Sequence, residues 1–516
     1  YTSTDPPRGS ANATHAPLRI AGSSEHREGL VVHGVPARAR GRVAIPGIRL
    51  RASERKALLS VVDYLILCAA LVASARLRSN LLDAPGALAG YWYWFAALLI
   101  VWWAVATLLE CYDLARASSG PHSILTPAGA AALTVFIYVS IPVFTPPLIS
   151  RKLIFVFALL AAGGVVLWRG LYAVLFLQPS FHRHALVFGA GQAGQGLIAA
   201  LRGEAAYGNP FHGSGYEIIG FVDDDPAKQA AGQVAGIPVL GSSADLARLT
   251  AERCVDEIVL AITQRHTMSE TAMSALLACW ERGVPVCTMP EFYERLLGRV
   301  PVDHIGRNLA SVLPADQGWT ARLYQAVKRG ADVLIAIMGL ALTAVLAPLV
   351  ALANVVFNPG PLFYRQTRVG QAGHPFTLAK FRTMQPDAEN NTGVVWTAAR
   401  DPRITAVGRL LRKTRMDELP QMLNVMRGDM SLVGPRPERP EFVDRLAAQI
   451  PFYRARHAVR PGLTGWAQVR YGYGNTLEHS RTKLEYDLYY VRHAGLYLDL
   501  VVLLKTIAVV LRLSGE

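Results

Sequence analysis

The sequence predicts a membrane protein with three parts: a four-helix transmembrane segment, a Rossmann-like α/β domain, and an α-rich C-terminal domain entered through a fifth apolar segment. Three observations predict it. Four apolar stretches of near-membrane length occupy residues 56–178. A strand running into Gly189-x-Gly191-x-x-Gly194 opens residues 183–300. An Asp-Glu pair, Asp417 and Glu418, sits in a strongly basic C-terminal run. A chain of 516 residues has room for about three domains. Its hydrophobic share of 52% is high for a protein surrounded only by water.

Residues 1–55 are rich in Pro, Gly, Ser, Thr and Arg without an apolar period, and read as a disordered basic tail. No cleavable leader is expected, because the first apolar stretch follows that long polar segment. Apolar runs follow at about 57–77, 91–109, 127–146 and 152–177. Each approaches the ~20 residues that cross ~30 Å of hydrocarbon. Pro142 lies near the end of the third, where a membrane helix tolerates it. Tyr91, Trp92, Tyr93 and Trp94 look like an interfacial aromatic belt. The arginines between Arg38 and Lys56 place the N-terminus in the cytoplasm, and four crossings return the chain there.

His184 to Gly194 reads as an apolar strand, a glycine turn and a helix start, the Rossmann phosphate-loop pattern. Strands are expected near Gly220–Asp225, Glu257–Ile262 and Val284–Cys287. The acidic cluster Asp223-Asp224-Asp225 lies further from the glycines than the usual ~20 residues. Nucleotide binding at Gly189, Gly191 and Gly194 therefore stays open beside a structural or regulatory role. Cysteines 68, 111, 254, 279 and 287 form no Cys-x-x-Cys pair and read as free thiols. Residues 301–325 read as a linker.

Residues 326–357 carry Lys328, Arg329 and an apolar run broken by Pro348. A proline inside a helix removes a hydrogen bond and bends the chain. Two readings follow: a kinked span, or a re-entrant helix that bends at Pro348 and returns to the face it entered. Lys328 and Arg329 would anchor at headgroups. Residues 358–516 form the α-rich domain, and Leu496–Leu513 reads as an interfacial or docking helix.

Leu419, Met422, Leu423 and Met426 recur at helical spacing, with Gly428 as a stop. Asp417 then falls near a helix N-cap, and Pro420 in the first turn. For an isolated Asp-Glu pair, capping would be explanation enough. Here Lys380, Arg382, Arg412 and Arg436 bracket the pair. Paired carboxylates can hold Mg²⁺, which usually also takes phosphate ligands, with Asp417 the candidate metal ligand. Arg and Lys take the remaining phosphate oxygens. An aspartate can also attack phosphorus itself. Net charge is +14, which suits lipid headgroups or a nucleotide diphosphate; no nucleic-acid-reading motif is present.

Residues 322–516 resemble the bacterial sugar transferases, the monotopic polyprenyl-phosphate phosphoglycosyl transferases. The matching pieces are Lys380-Phe-Arg-Thr-Met, Asp417-Glu-Leu-Pro-Gln, Arg427-Gly-Asp-Met-Ser-Leu-Val-Gly-Pro-Arg-Pro and Arg460-Pro-Gly-Leu-Thr-Gly-Trp, in family order. The resemblance implies that Asp417 attacks the sugar-linked phosphate of a UDP-sugar, releasing UMP, and that undecaprenyl phosphate then takes the phosphosugar. It implies that Glu418 assists as acid, base or metal neighbour, and that Lys380, Arg412 and Arg436 meet phosphate or nucleotide. UDP-glucose or UDP-galactose is the expected donor, from members that initiate exopolysaccharide or O-antigen synthesis. The expected location is the bacterial inner membrane with the catalytic domain on the cytoplasmic face. That side needs the re-entrant reading at Pro348, since a fifth crossing would carry Asp417 away from cytosolic nucleotide sugars. The Rossmann-like domain resembles a regulatory module often fused to these enzymes; such modules often mediate pairing, so a homodimer is a candidate state. Residues Asn390–Arg400 and Tyr471–Glu485 are candidate selectivity loops by position. Rival readings are a membrane-bound NAD-dependent nucleotide-sugar dehydratase, for which Tyr324-x-x-x-Lys328 has the right spacing, an inactive scaffold of polysaccharide export, and a multispanning glycosyltransferase releasing UDP.

Overall fold

The computed structural model describes residues 52–77, 90–112, 122–141, 145, 151–176, 183–203, 216–262, 268–304, 318–357, 359–386, 388, 401–471 and 476–511. Most of the basic tail, Pro142 and the loop at 390–400 lie outside them, as do residues 472–475 of the second candidate loop.

Four helices come first: α1 (Ala52–Arg76), α2 (Trp92–Leu108), α3 (His122–Val139) and α4 (Arg151–Phe176). Helix α1 begins inside the stretch expected to be tail. The four share one apolar core, with Leu67 and Leu71 meeting Leu98 and Trp102, Val135 and Tyr138, and Phe157 and Val165. Their outer faces are apolar too: Leu65, Ile100, Phe136 and Leu167 are exposed. Helices greasy inside and outside suit lipid as the surrounding medium. Among the described residues only α1, α4 and a later helix are both long and apolar enough to cross a membrane. Helices α2 and α3, at 17 and 18 residues, reach only ~25–27 Å. Asp63 of α1 and Arg169 of α4 are buried between helices as an ion pair, 2.5 Å apart.

The Rossmann-like module follows: β1 (Arg183–Phe188), α5 (Gln192–Gly203), β2 (Tyr216–Val222), α6 (Pro226–Ala231), β3 (Gln233–Val234), β4 (Ile237–Gly241), α7 (Leu246–Glu252), β5 (Glu257–Leu260), α8 (Glu270–Glu281), β6 (Val286–Thr288) and α9 (Met289–Leu297). Its sheet runs β3-β4-β2-β1-β5-β6, parallel except for the β3 edge. This is the doubly wound order, with the switch point at the end of β1. Gly189 sits there with φ +108, a conformation that favours glycine. A Cβ on Gly194 would lie 2.2 Å from the Gly189 carbonyl, so helix and loop touch backbone to backbone. The inner parts of β1, β2 and β5 are apolar because helices cover both faces.

Residues 298–304 are no free linker. Val300 and Val302 are buried against Phe442, Tyr453 and Leu488 of the C-terminal domain, and the Val300 amide donates to the Glu485 carbonyl at 3.0 Å. Trp466 donates its indole N–H to the Gly298 carbonyl at 2.8 Å. Arg492 and His493 both reach Glu294 of α9.

Next comes α10 (Trp319–Phe357), a single helix of 39 residues that starts before the expected boundary and passes through Pro348 unbroken. Helical structure continues through Pro348, where one backbone hydrogen bond is missing. Lys328 and Arg329 are also not free for headgroups. Lys328 bonds Asp499 at 2.7 Å and the Val433 carbonyl at 3.0 Å. Arg329 donates to the Val425 and Met426 carbonyls at 2.6 and 2.7 Å.

The C-terminal domain then builds β7 (Phe363–Val369), β8 (Pro375–Phe381), α11 (Ala406–Lys413), a 3₁₀ segment (Met416–Gln421), α12 (Met422–Arg427), β9 (Ser431–Val433), α13 (Pro440–Ala447), a second 3₁₀ segment (Tyr453–Ala458), β10 (Gly462–Thr464), α14 (Trp466–Arg470), α15 (Leu477–His493) and α16 (Leu496–Leu511). Arg329 thus covers the last carbonyls of α12, where a cation is favoured. Helix α10 packs on this domain along its length: Ala336 joins Met422, Val425 and Leu432, while Val350 joins Phe381 and Leu411. Helix α16 docks on the bundle, with Tyr497 against Trp103 and Lys505 paired to Glu110.

Candidate active site

Hairpin β7–β8 pairs Tyr364 with Lys380. That register lays the half-buried Lys380 ammonium over the Tyr364 ring, 5.3 Å from its centre. Arg412 sits in the last turn of α11 and fixes its Nε on the Thr383 hydroxyl at 2.9 Å. A corner follows at Arg415, whose φ of +60 is left-handed, a strained state for a residue with a Cβ. Beyond the corner Met416 stays exposed, whereas Asp417 is buried and Glu418 largely so. The helix expected from Asp417 is 3₁₀ until Gln421 and α only from Met422 to Arg427. Pro420 explains this, since it has no N–H for an α-type bond. Gly428 ends α12 in the left-handed state, as expected.

Arg436 is supplied by a braid of two glycine segments. Strands β9 and β10 run parallel, with the Gly434 amide on the Thr464 carbonyl and the Gly462 amide on the Pro435 carbonyl. A Cβ on Gly434 would meet the Arg460 carbonyl at 2.3 Å, so only glycine permits the approach. Arg436 leaves this braid to donate to Glu418 at 3.0 Å, and Arg415 lies 3.9 Å from the same oxygen.

The electrostatics divide the pair. Burial raises the Glu418 carboxyl, but Arg436 and Arg415 outweigh it and hold Glu418 below its ordinary range, hence ionised. Burial and the adjacent Glu418 push Asp417 up to about 6, against the pull of Lys380, Arg412 and Arg436. Burial, then Arg412 and Arg368, lower Lys380 to about 8. Asp417 Oδ1 is buried with no hydrogen-bond partner. A buried carboxylate oxygen left unpaired is costly and calls for a ligand or a chemical role.

Lys380, Arg412, Arg436, Asp417 and Glu418 thus share one electrostatic cluster. Arg382 does not join it. Its Nε donates to the Pro361 carbonyl at 2.7 Å and its Nη1 to the Met384 carbonyl at 3.2 Å. The chain leaves β8 at Phe381, so the two-residue alternation that would align Arg382 with Lys380 has already ended. Arg382 pins a loop through these two carbonyl bonds. Three further contributors escaped the sequence reading: Arg368, Arg415 and Thr383. Only Thr383 lies inside a matched segment.

The family pattern described as "Bacterial sugar transferase" matches residues 323–513. A chain 47% identical over 182 residues is the UDP-glucose:undecaprenyl-phosphate glucose-1-phosphate transferase of Caulobacter vibrioides, covering 35% of this chain and 68% of that one. This chain belongs to the bacterial sugar transferase family. A protein of the same name from Klebsiella pneumoniae is 30% identical over 363 residues, 69% of this chain and 74% of its own. The UDP-N-acetylgalactosamine-undecaprenyl-phosphate N-acetylgalactosaminephosphotransferase of Aeromonas hydrophila is 41% identical over 237 residues. That match spans 46% of this chain and only 54% of the relative. A second pattern, "CoA-binding domain", matches residues 107–290, which takes in the Rossmann-like module.

Within this chain one amide of the module's glycine loop is bonded to Asp223. Asp223 Oδ2 accepts from the Ala190 amide at 2.7 Å and from Lys228 at 2.9 Å. Asp224 accepts from the Ser243 amide and Asp225 caps α6. The Tyr324–Lys328 pair that suggested a dehydratase is spent on Asp499, at 2.9 and 2.7 Å, where it bolts α10 to α16.

Proposed function

We propose that this chain moves a hexose 1-phosphate from a UDP-sugar to undecaprenyl phosphate, releasing UMP, through a covalent intermediate on Asp417. The observation that carries the proposal is the unpartnered, buried Oδ1 of Asp417 inside a frame of Lys380, Arg412 and Arg436. The names of the relatives support the reaction class. They also include both glucose and N-acetylgalactosamine, so the sugar stays open beyond the expected glucose or galactose.

In the first half-reaction an Asp417 carboxylate oxygen bonds to the sugar-linked phosphorus. The bond from that phosphorus to the bridging oxygen breaks, and UMP leaves with the electron pair. In the second, an oxygen of undecaprenyl phosphate bonds to the same phosphorus, and the acyl-phosphate bond breaks to return the carboxylate. An anion must approach an anion in both halves, and Lys380, Arg412 and Arg436 supply the opposing charge in place beforehand. Glu418, held ionised by Arg436 and Arg415, is suited to act as a base or metal neighbour and poorly suited to act as an acid. The donor set fits Mg²⁺ in a limited way. Asp417 offers one idle oxygen beside Glu418, but the described residues assemble no group of three ligands. Such an ion would take its other ligands from phosphate and water, and when bound would supply charge neutralisation at the diphosphate.

We further propose that helices α1 to α4 cross the bacterial inner membrane and that α10 dips into one leaflet about Pro348, leaving the catalytic domain cytoplasmic. Contacts on both sides of Pro348 with the same domain support this: Ala336 with Leu432, and Val350 with Phe381. A helix that left through the far face of a ~30 Å core would part from that domain after entry.

The test is UMP release by the membrane-embedded chain given UDP-sugar, undecaprenyl phosphate and Mg²⁺. Release of UDP, or none with any UDP-hexose, would overturn the reaction. Cysteine labelling in sealed cells tests the topology. A cysteine at Leu410, an exposed position of α11, should react only after the membrane is breached.

A further inference from the structure

Arg436 stands between two prolines, and neither Pro435 nor Pro437 has an amide hydrogen to donate. The segment is held by its carbonyls. Arg456 Nη2 donates to the Arg436 carbonyl at 2.9 Å. Arg368 Nη1 donates to the Pro437 carbonyl at 3.0 Å. The Val369 amide takes the Glu438 carbonyl at 3.0 Å. Behind the first bond lies a buried ion pair: Arg456 Nη2 is 2.7 Å from Asp487 Oδ2, with relative exposures of 6% and 3%. Arg456 Nη1 also donates to the Tyr453 hydroxyl at 2.7 Å. Glu438 and Lys483 face the pair electrostatically.

A buried Arg–carboxylate pair contributes little net stability, because desolvation offsets the attraction. What it supplies, and an apolar pair would not, is a directed bond to one backbone carbonyl. That carbonyl belongs to the residue whose guanidinium grips Glu418 beside Asp417.

We propose that Arg456, oriented by Asp487, and Arg368 are positioning residues: they fix the Pro435–Pro437 segment so that Arg436 stays on Glu418. Neither arginine touches the substrate in this scheme. The inference rests on the reaction proposed above. Wild-type turnover in the same assay separates failure of that reading from failure of this one.

The experiment measures UMP release and kcat for the full chain in bilayer discs. Arg456→Met and Asp487→Asn are each compared alone and combined with Arg436→Ala. Arg456→Met is expected to lower kcat by about 10²-fold, the usual cost of a small misplacement near reacting groups. Asp487→Asn should lower it less, in the same direction. Arg456→Lys, which keeps a cation for Asp487 and the Arg436 carbonyl, should lose less than Arg456→Met. In the Arg436→Ala background both losses should vanish, since the residue they position is gone. Losses that multiply in that background, or an Arg456→Lys variant no better than Arg456→Met, would overturn the proposal. Should Arg456→Met fail to fold, Asp487→Asn and Arg368→Met carry the same double-variant comparison.

Discussion

Two acidic residues in this protein sit at places where phosphate could bind, and they differ in what their oxygens already do. Asp223 closes the glycine loop of the Rossmann-like module and accepts from the Ala190 amide, the Asp225 amide and Lys228. Asp417 faces Lys380, Arg412 and Arg436 yet leaves Oδ1 without a partner. In the module the carboxylate has taken the amide that a phosphate would seek. In the C-terminal domain the cations outnumber the carboxylate oxygens that engage them. A recognisable loop can thus hold its acidic residue in internal bonds, whereas an idle buried oxygen calls for a ligand or a chemical role.

The largest expected contrast comes from removing each charge. Asp417→Asn should lower UMP release by about 10⁴-fold or more, because the proposed attacking group is gone. Asp223→Asn should leave turnover nearly unchanged and show its loss in thermal unfolding, at about 1–3 kcal/mol for a partly buried carboxylate losing its bonds. Comparable activity losses in the two variants would erase the distinction. Glu418→Gln comes next, with a loss of about 10²-fold, the range typical of an assisting acid–base group.

The pH profile sharpens the same contrast. Asp417, raised by burial and Glu418 to about 6, must be ionised to attack, so kcat/KM should climb through that pH. Lys380, lowered by burial to about 8, must stay protonated to oppose the diphosphate, so kcat/KM should fall above it. The Asp417→Glu variant should keep the bell shape if any activity survives. A profile flat from pH 5 to 7 would count against Asp417 as the titrating group. The smallest effect is expected at Arg382. Arg382→Lys should change KM for the UDP-sugar by less than about threefold, while lowering stability by about 1–3 kcal/mol through the lost carbonyl bonds. A large KM change would return Arg382 to the substrate.

Much of this was legible in the chain because it is local. The apolar runs, the Gly189–Gly194 turn and the segment around Asp417 each fall within a short window, and Lys380, Arg412 and Arg436 lie in or beside runs that stand out. What was hidden depends on pairing between distant segments. Arg368 comes near Lys380 only because β7 folds back along β8, and Arg456 meets the Arg436 carbonyl with Asp487 of α15 beside it. Lys328 and Arg329 looked like headgroup anchors until Asp499 and the end of α12 met them. The 3₁₀ segment at Asp417 came from one missing N–H at Pro420, a local cause that the apolar spacing of Leu419, Met422 and Met426 masked.

The account turns on Asp417 becoming covalently phosphorylated. The most direct measurement is rapid acid quenching of the membrane-embedded chain with UDP-sugar and no lipid acceptor, followed by mass analysis of the peptide bearing Asp417. A hexose-phosphate adduct on that peptide, discharged when undecaprenyl phosphate is added and absent from Asp417→Asn, is the predicted result. UMP formed by the lipid-supplied enzyme with no adduct on any quenched peptide, or an adduct on another residue, would contradict it.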